Sequence, residues 1–370
     1  MLPYTAPVNS PKTPAEQAYD DGMRRFDAGD LAGAARAFEQ ALALEPGFER
    51  ALYQLGNVRQ DQERWADAER CFRGAIALAP DHAEAHNNLG VVLQVLGRSR
   101  DAEACYARAA ELKPALVHPW LNLGRMLEGM GRRSEAIAWL EKGSALSAEP
   151  EAFRHVLAAM RGDATDGRAP DSYVRSTYDG FAAQFDHRLV GELGYRVPEA
   201  IAAVLADLGR FGPASADVLD LGCGTGLSGW ALRGLARSLT GVDLSPKMLE
   251  QARARGCYGV LAEGEVVAWM RASPASRFDL VVAADAFIYF GALDAVFAEV
   301  ARVSRPGALF TFSVETCEGG EWRLQESGRY AQSDAYIGAL AAEHGFAVAV
   351  NREQPIRKPV IGRLYVLERR

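Results

Sequence analysis

The sequence predicts an α-solenoid of helical repeats followed by a doubly wound α/β domain. Three observations carry that prediction. The first half repeats itself with a 34-residue period; residues 217–226 read D-V-L-D-L-G-C-G-T-G, an apolar run stopped by three alternate glycines; and from there strand-length apolar segments alternate with amphipathic helical ones. With 370 residues, 49% of them hydrophobic and 24% charged, the chain has room for two or three globular domains.

Residues 1–14 contain four prolines and no continuous apolar core, so they read as a flexible N-terminal tail, neither a secretory signal nor a membrane span. The repeat domain follows over 15–161, with units starting at 15, 49, 83 and 117 and an amphipathic capping helix at 151–160. Gly22, Gly56, Gly90 and Gly124 recur at one position, Ala34, Ala68, Ala102 and Ala136 at a second, and Phe38, Phe72, Tyr106 and Leu140 at a third. Small residues let two antiparallel helices approach; the bulky ones fill the space between them. This pattern resembles the tetratricopeptide repeat (TPR). The resemblance implies a groove lined by Tyr19, Met23, Tyr53, Asn57, Asn88, Asn122 and Arg125. The amides of Asn57, Asn88 and Asn122 are then candidates for holding an extended peptide, while the bland reading has the groove packing on the second domain or another subunit, as in a homodimer. His82 and His86 stand at i, i+4, but no third ligand completes a metal set.

Residues 162–170, G-D-A-T-D-G-R-A-P, carry turn residues without apolar periodicity and read as a linker to a domain spanning 171–370. Tyr173, Tyr178, Phe181 and Phe185 share one helical face, and a helix over 198–208 closes at Gly209. Strands are predicted at 218–221, 239–242, 258–261 and Phe278–Ala283, then at 308–314, 347–350 and 362–367. Helices are predicted at 227–237, Pro246–Arg255, 293–303 and 333–344. This alternation implies a parallel sheet with helices on both faces.

The glycine turn at 222–226 demands bare backbone for a ligand to approach. Asp220, two residues before Gly222, would repel a pyrophosphate and attract an ammonium group, and Asp243 lies 21 residues beyond Gly222, where an acidic side chain reaches a ribose hydroxyl. An amino-acid nucleoside meets both conditions. D-L-G-C-G-T-G resembles motif I of the class I S-adenosylmethionine (SAM) dependent methyltransferases. That resemblance implies a Rossmann-like sheet of seven strands with the last reversed, and SAM as cofactor. It implies cofactor contacts from Gly222, Cys223, Gly224 and Gly226, from Asp220 toward the methionine ammonium, and from Asp243 to the ribose. Leu244 and Val266 would lie against adenine, Glu265 on its amino group, Tyr178 over the site, and Asp285 would help through its backbone.

Methyl transfer is an in-line displacement that needs alignment and dryness, and no metal. The catalytic candidates come from loops after the fourth and fifth strands: Tyr289, Glu315 as a base, and Arg323 to hold an acidic acceptor. The segment A-D-A-F-I-Y-F stands where methylases of exocyclic base or glutamine nitrogens have N-P-P-Y or D-P-P-Y, which argues against those acceptors. A net charge of −7 without a basic cluster argues against nucleic acid, and five widely spaced cysteines suggest reduced thiols in a cytoplasm. The expected function is methyl transfer from SAM to an oxygen, nitrogen or carbon nucleophile of a small-molecule or peptide acceptor, with the repeats docking an acceptor or partner. The alternative is a non-catalytic TPR scaffold or sensor that binds SAM.

Overall fold

The computed structural model describes residues 12–147, 149–163, 165–179, 182 and 185–370. Residues 1–11 of the expected tail and Phe181 of the expected aromatic face lie outside the described residues. Two compact units divide between Phe153 and Arg154.

The first unit contains four helix pairs in the expected register: α1 (Pro14–Asp27) with α2 (Leu31–Leu44), α3 (Glu49–Asp61) with α4 (Trp65–Leu78), α5 (Ala83–Val95) with α6 (Ser99–Leu112), and α7 (Val117–Gly129) with α8 (Arg133–Leu146). Each pair turns through a residue with positive φ: Gly29, Glu63, Gly97 and Gly131. The glycine of each first helix meets the bulky residue of its second. A Cβ at Gly22, Gly56, Gly90 or Gly124 would stand 2.5, 2.6, 2.7 or 2.7 Å from the side chain of Phe38, Phe72, Tyr106 or Leu140. Gly56→Val is therefore expected to cost at least about 1–3 kcal/mol by overpacking. Urea unfolding of the full chain checks this, and an unchanged midpoint would show that the glycines do not set the helix spacing.

The groove asparagines bond to one another across α3, α5 and α7. Asn122 Nδ2 donates to Asn87 Oδ1 (3.0 Å), Asn87 Nδ2 to Asn88 Oδ1 (3.1 Å), and Asn88 Nδ2 to both Asn57 Oδ1 (2.9 Å) and Tyr53 Oη (3.3 Å). Asn57 Nδ2 donates in turn to Gln54 Oε1 (3.1 Å). Asn87, absent from the expected set, is the rung that joins Asn122 to the rest.

The division between units falls inside α9 (Pro150–Arg161). The segment expected to be a linker is hydrogen-bonded into the second unit: Ala169 N–H donates to the Tyr289 carbonyl, and Gly291 and Ala292 N–H donate to that of Gly167. Next come α10 (Asp171–Asp179), a π-helical turn (His187–Glu192) and α11 (Val197–Leu208), then β1 (Ala216–Leu221), α12 (Leu227–Leu232), β2 (Ala236–Asp243), α13 (Pro246–Arg255), β3 (Val260–Glu263), α14 (Val266–Ala272) and β4 (Phe278–Ala283). The remainder is α15 (Asp294–Val303), β5 (Ser304–Thr316), β6 (Trp322–Leu324), β7 (Tyr330–Gln332), α16 (Asp334–Glu343), β8 (Phe346–Arg357) and β9 (Val360–Arg369).

Seven strands run in the order β3-β2-β1-β4-β5-β9-β8, with β9 antiparallel to both its neighbours. Two more strands, β6 and β7, form a short ribbon whose β7 pairs with the end of β5 through Glu315↔Ala331 and Thr316↔Gln332. The sequence reading treats this stretch as loop, because three-residue strands carry too little alternation to register. The helix expected at 227–237 stops at Leu232, since β2 already begins at Ala236. Apolar cores cover both faces of the sheet. Ile201, Val204 and Leu205 of α11 pack on one side, and Met270, Phe297 and Ile337 of α14, α15 and α16 on the other.

Candidate functional site

Strand order reverses between β1 and β4, so their following loops diverge and leave a crevice at the carboxyl ends of the strands. A cleft of about 1000 Å³, part of it open to solvent, lies there. Its walls include Gly222, Cys223 and Gly224 after β1, Asp243 and Leu244 ending β2, Glu265 and Val266 at the start of α14, and Asp285 and Tyr289 after β4. Tyr178 of α10 completes the expected residues in the wall.

The glycine turn is built for close approach. Gly222, Gly224 and Gly226 have φ of +66, +53 and +88°, which L side chains rarely adopt. A Cβ at Gly222 would stand 2.8 Å from Ala286 Cβ, whereas nothing lies within 4 Å of one at Gly224: there bare backbone faces open space. Gly226 is not in the cleft wall; its missing Cβ lets α12 pack on Ala252, Arg255 and Tyr258. Asp243 holds the turn, accepting from Gly224 N–H (2.8 Å) and Ser245 N–H (2.9 Å), and burial raises its carboxyl above the ordinary range. Glu265 caps α14, accepting from the N–H groups of Val267 (2.9 Å) and Ala268 (2.8 Å).

Asp220 does not line the cleft. Its side chain is buried, Oδ2 accepts from Tyr258 Oη at 2.6 Å, and Oδ1 has no partner among the described residues. Burial pushes its carboxyl up to about 7, against the donated bond from Tyr258 and with the charge of Asp243 adding to the rise. Because this folded value exceeds the unfolded one near 4, the group's favourable contribution is complete below about pH 4 and lost as pH rises through 7. Asp220→Asn is accordingly expected to raise the thermal midpoint at pH 8 and leave it little changed near pH 4. A midpoint unchanged at pH 8 would show that the carboxylate's burial is fully compensated.

Past β4, Asp285 adopts φ +55°, strained for a residue with a side chain. Ser313 Oγ accepts from its N–H (2.8 Å), its Oδ2 accepts from Arg357 Nη1 (2.6 Å), and its buried Oδ1 has no partner among the described residues. Burial pushes this carboxyl up to about 6, with Arg357 and Arg329 opposing the rise. Tyr289 and Tyr178 meet edge to face, ring centroids 5.8 Å apart, and burial drives the Tyr178 hydroxyl well above its usual range.

Two of the expected catalytic residues stand elsewhere. Glu315 is buried near the end of β5, where that strand pairs with β7 and β9; it lies outside the cleft wall and bonds to Arg357, so an acceptor in the cleft does not meet its carboxylate. Arg323 is exposed on β6, donates to the Glu318 carbonyl at 3.4 Å, and does not line the cleft. The sequence reading missed Arg168, Phe185, Leu189 and Tyr195, which all line it. The strap that carries them is tied down by Ser245 Oγ donating to Asp179 (2.6 Å) and by Asp186 pairing with Thr225 and Arg255. Among the described residues, no cluster of His, Cys, Asp and Glu could hold a metal, and no helix is long and apolar enough to cross a membrane.

Residues 218–307 match the family model described as "Methyltransferase domain", and models described as "Tetratricopeptide repeat" match 48–115, 19–59 and 92–150. The chain carries a methyltransferase domain after a TPR array. Curated proteins similar to it include the biotin biosynthesis bifunctional protein BioCD of Bordetella avium, 32% identical over 164 residues, which are 41% of this chain and 32% of that protein. Human methyltransferase-like protein 27 is 35% identical over 140 residues, 38% of this chain and 56% of that one. The chain thus spans about a third to a half of the length of these relatives. A solved structure of similar fold, the magnesium protoporphyrin IX methyltransferase of Synechocystis PCC 6803, is 16% identical, with a TM-score of 0.43 over 54% of this chain and 99% of that one. The residues of the cleft fit SAM as the cofactor of the methyltransferase domain: Gly224 would offer bare backbone to the methionine half, and Asp243 stands at the turn's edge where a ribose would lie.

Proposed function

We propose that the chain transfers a methyl group from SAM to an oxygen or nitrogen nucleophile of a small-molecule or peptide acceptor. The observation that carries this reading is the cleft at the strand reversal, where the bare backbone of Gly224 is held by the carboxylate of Asp243. SAM would supply an electrophilic methyl group. The chain's part is to hold the methionine half on the 222–226 turn, the ribose at Asp243 and the adenine between Leu244 and Val266, and to exclude water with Tyr178, Phe185 and Tyr289. Asp285 Oδ1, in the wall and without a hydrogen-bond partner among the described residues, has a carboxyl poised near neutrality, suited to take the proton that an acceptor loses.

On this reading the TPR array docks a protein partner or acceptor. The asparagine ladder of Asn57, Asn87, Asn88 and Asn122 already satisfies its own amides, so a peptide would have to use its remaining donors and acceptors. The five cysteines are free in the structure, which supports a reducing compartment such as the cytoplasm. Incubation of host extract with methyl-labelled SAM tests the function. Label above the no-protein control, in macromolecules or metabolites, is expected; no incorporation alongside firm SAM binding would leave a sensor. With the acceptor so identified, Asp285→Asn is expected to lower kcat by about 100-fold, the scale of a lost general base, with SAM affinity unchanged. An unaltered kcat removes Asp285 from that role.

A further inference from the structure

Tyr258, expected to begin the strand at 258–261, stands in the connection before β3, which starts at Val260, and three glycines are shaped around its ring. A Cβ at Gly229 would stand 2.3 Å from its Cζ, one at Gly241 2.8 Å from Cε1, and one at Gly226 3.0 Å from Cε2. Gly226 and Gly229 belong to the end of the glycine turn and the start of α12, and Gly241 to β2, so the slot is assembled from two separate segments. The ring's hydroxyl closes the assembly. It donates to Asp220 Oδ2 at 2.6 Å, at the end of β1, and accepts from Gly229 N–H at 3.1 Å in the first turn of α12. The two residues flanking the glycine turn are thereby joined through one oxygen.

We propose that Tyr258 is a positioning residue for the cofactor: by tying Asp220 to Gly229 across the 222–226 turn, its hydroxyl holds the Asp220 carboxylate for a cationic ligand. The proposal rests on the SAM reading of the cleft. The groups that act on Asp220 are Tyr258, Asp243, Cys223, Tyr195 and Cys257, together with the Gly229 N–H. Among these, the Tyr258 hydroxyl and the Gly229 N–H favour the carboxylate form, whereas burial and Asp243 oppose it. Removing the hydroxyl leaves the ring in its slot but takes away the principal donor. Ionisation of Asp220 then requires a higher pH.

Calorimetry with S-adenosylhomocysteine and SAM from about pH 5.5 to 9, on the full chain and on Tyr258→Phe, tests this. The expected result is that Tyr258→Phe binds about tenfold more weakly near pH 7, recovers toward native affinity at about pH 9, and shows the native circular dichroism spectrum. The ligand's own amine titrates equally in both proteins, so the displacement of the profile belongs to the chain. Asp220→Asn is expected to abolish that displacement, Tyr258→Phe having no further effect on the profile in its background. A native pH profile in Tyr258→Phe, or a loss of affinity equal at every pH, overturns the positioning role alone. Failure of the unmodified chain to bind either compound overturns this role and the SAM reading together.

Discussion

Asp243→Ala is expected to weaken SAM binding by at least about 100-fold. The carboxylate has two tasks on the proposed reading: Oδ2 restrains Gly224 N–H and Oδ1 restrains Ser245 N–H, while the remaining lone pairs would serve a ribose bound in the cleft. Hydrogen bonds to a charged group contribute about 1.5–3 kcal/mol each, so losing two of them at the ribose is worth a factor of about 100 or more. Alanine also leaves the Gly224 amide without this acceptor, loosening the turn that would receive the methionine half. Calorimetry against S-adenosylhomocysteine measures the effect, with unfolding curves to establish that the variant folds. An affinity within threefold of the native value would place the ribose elsewhere.

Arg357→Met is expected to destabilise the fold by about 3–5 kcal/mol, the scale at which one partner of a buried ion pair is removed. Arg357 is 4% exposed and bridges Asp285 and Glu315, itself 4% exposed. Methionine fits the space of the stem and leaves two carboxylates buried with less compensation. The pH dependence follows from the sign of the shift. Asp285 already has its carboxyl raised to about 6, and loss of the guanidinium raises it further. A carboxyl whose folded value lies above the unfolded one gives its full stability at low pH and loses it as pH rises through the folded value. The deficit should therefore be largest near pH 8 and smallest near pH 4. Urea unfolding at both values reads it; equal deficits would mean that Arg357 acts through packing and not through charge.

Much of the architecture was legible because it is written in local periodicity. The 34-residue spacing of Gly22, Gly56, Gly90 and Gly124 yields all four helix pairs, and β4 and α13 appear at their expected bounds because a buried strand and a Pro-started, Gly-stopped helix are self-contained signals. The limits appear where contacts are long-range. β2 starts earlier than its apolar run because Arg237 and Ser238 are paired with Asp217 on the neighbouring strand, a partner 20 residues away. The same holds at the site. The 222–226 turn and Asp243 are visible as motifs, but the commitment of Glu315 to Arg357 spans 42 residues, and the slot for Tyr258 is cut by glycines from two separate segments. Arg168 was hidden for another reason: a Gly- and Pro-bearing stretch reads as a spacer whether or not it is pinned to a domain.

Every residue in the cleft wall lies between 168 and 290, but the cation that neutralises Asp285 arrives at position 357, in the strand that pairs with β9. A chain emerging from the ribosome can therefore present all the pieces of the cleft while one of its carboxylates still lacks its counter-charge. Docking of the β8/β9 hairpin beside β5 then completes the electrostatics of a site to which that hairpin contributes no wall. Quality of the cleft is thus coupled to the last long-range pairing of the sheet, so lesions in β8 or β9 should register at a binding site they never touch.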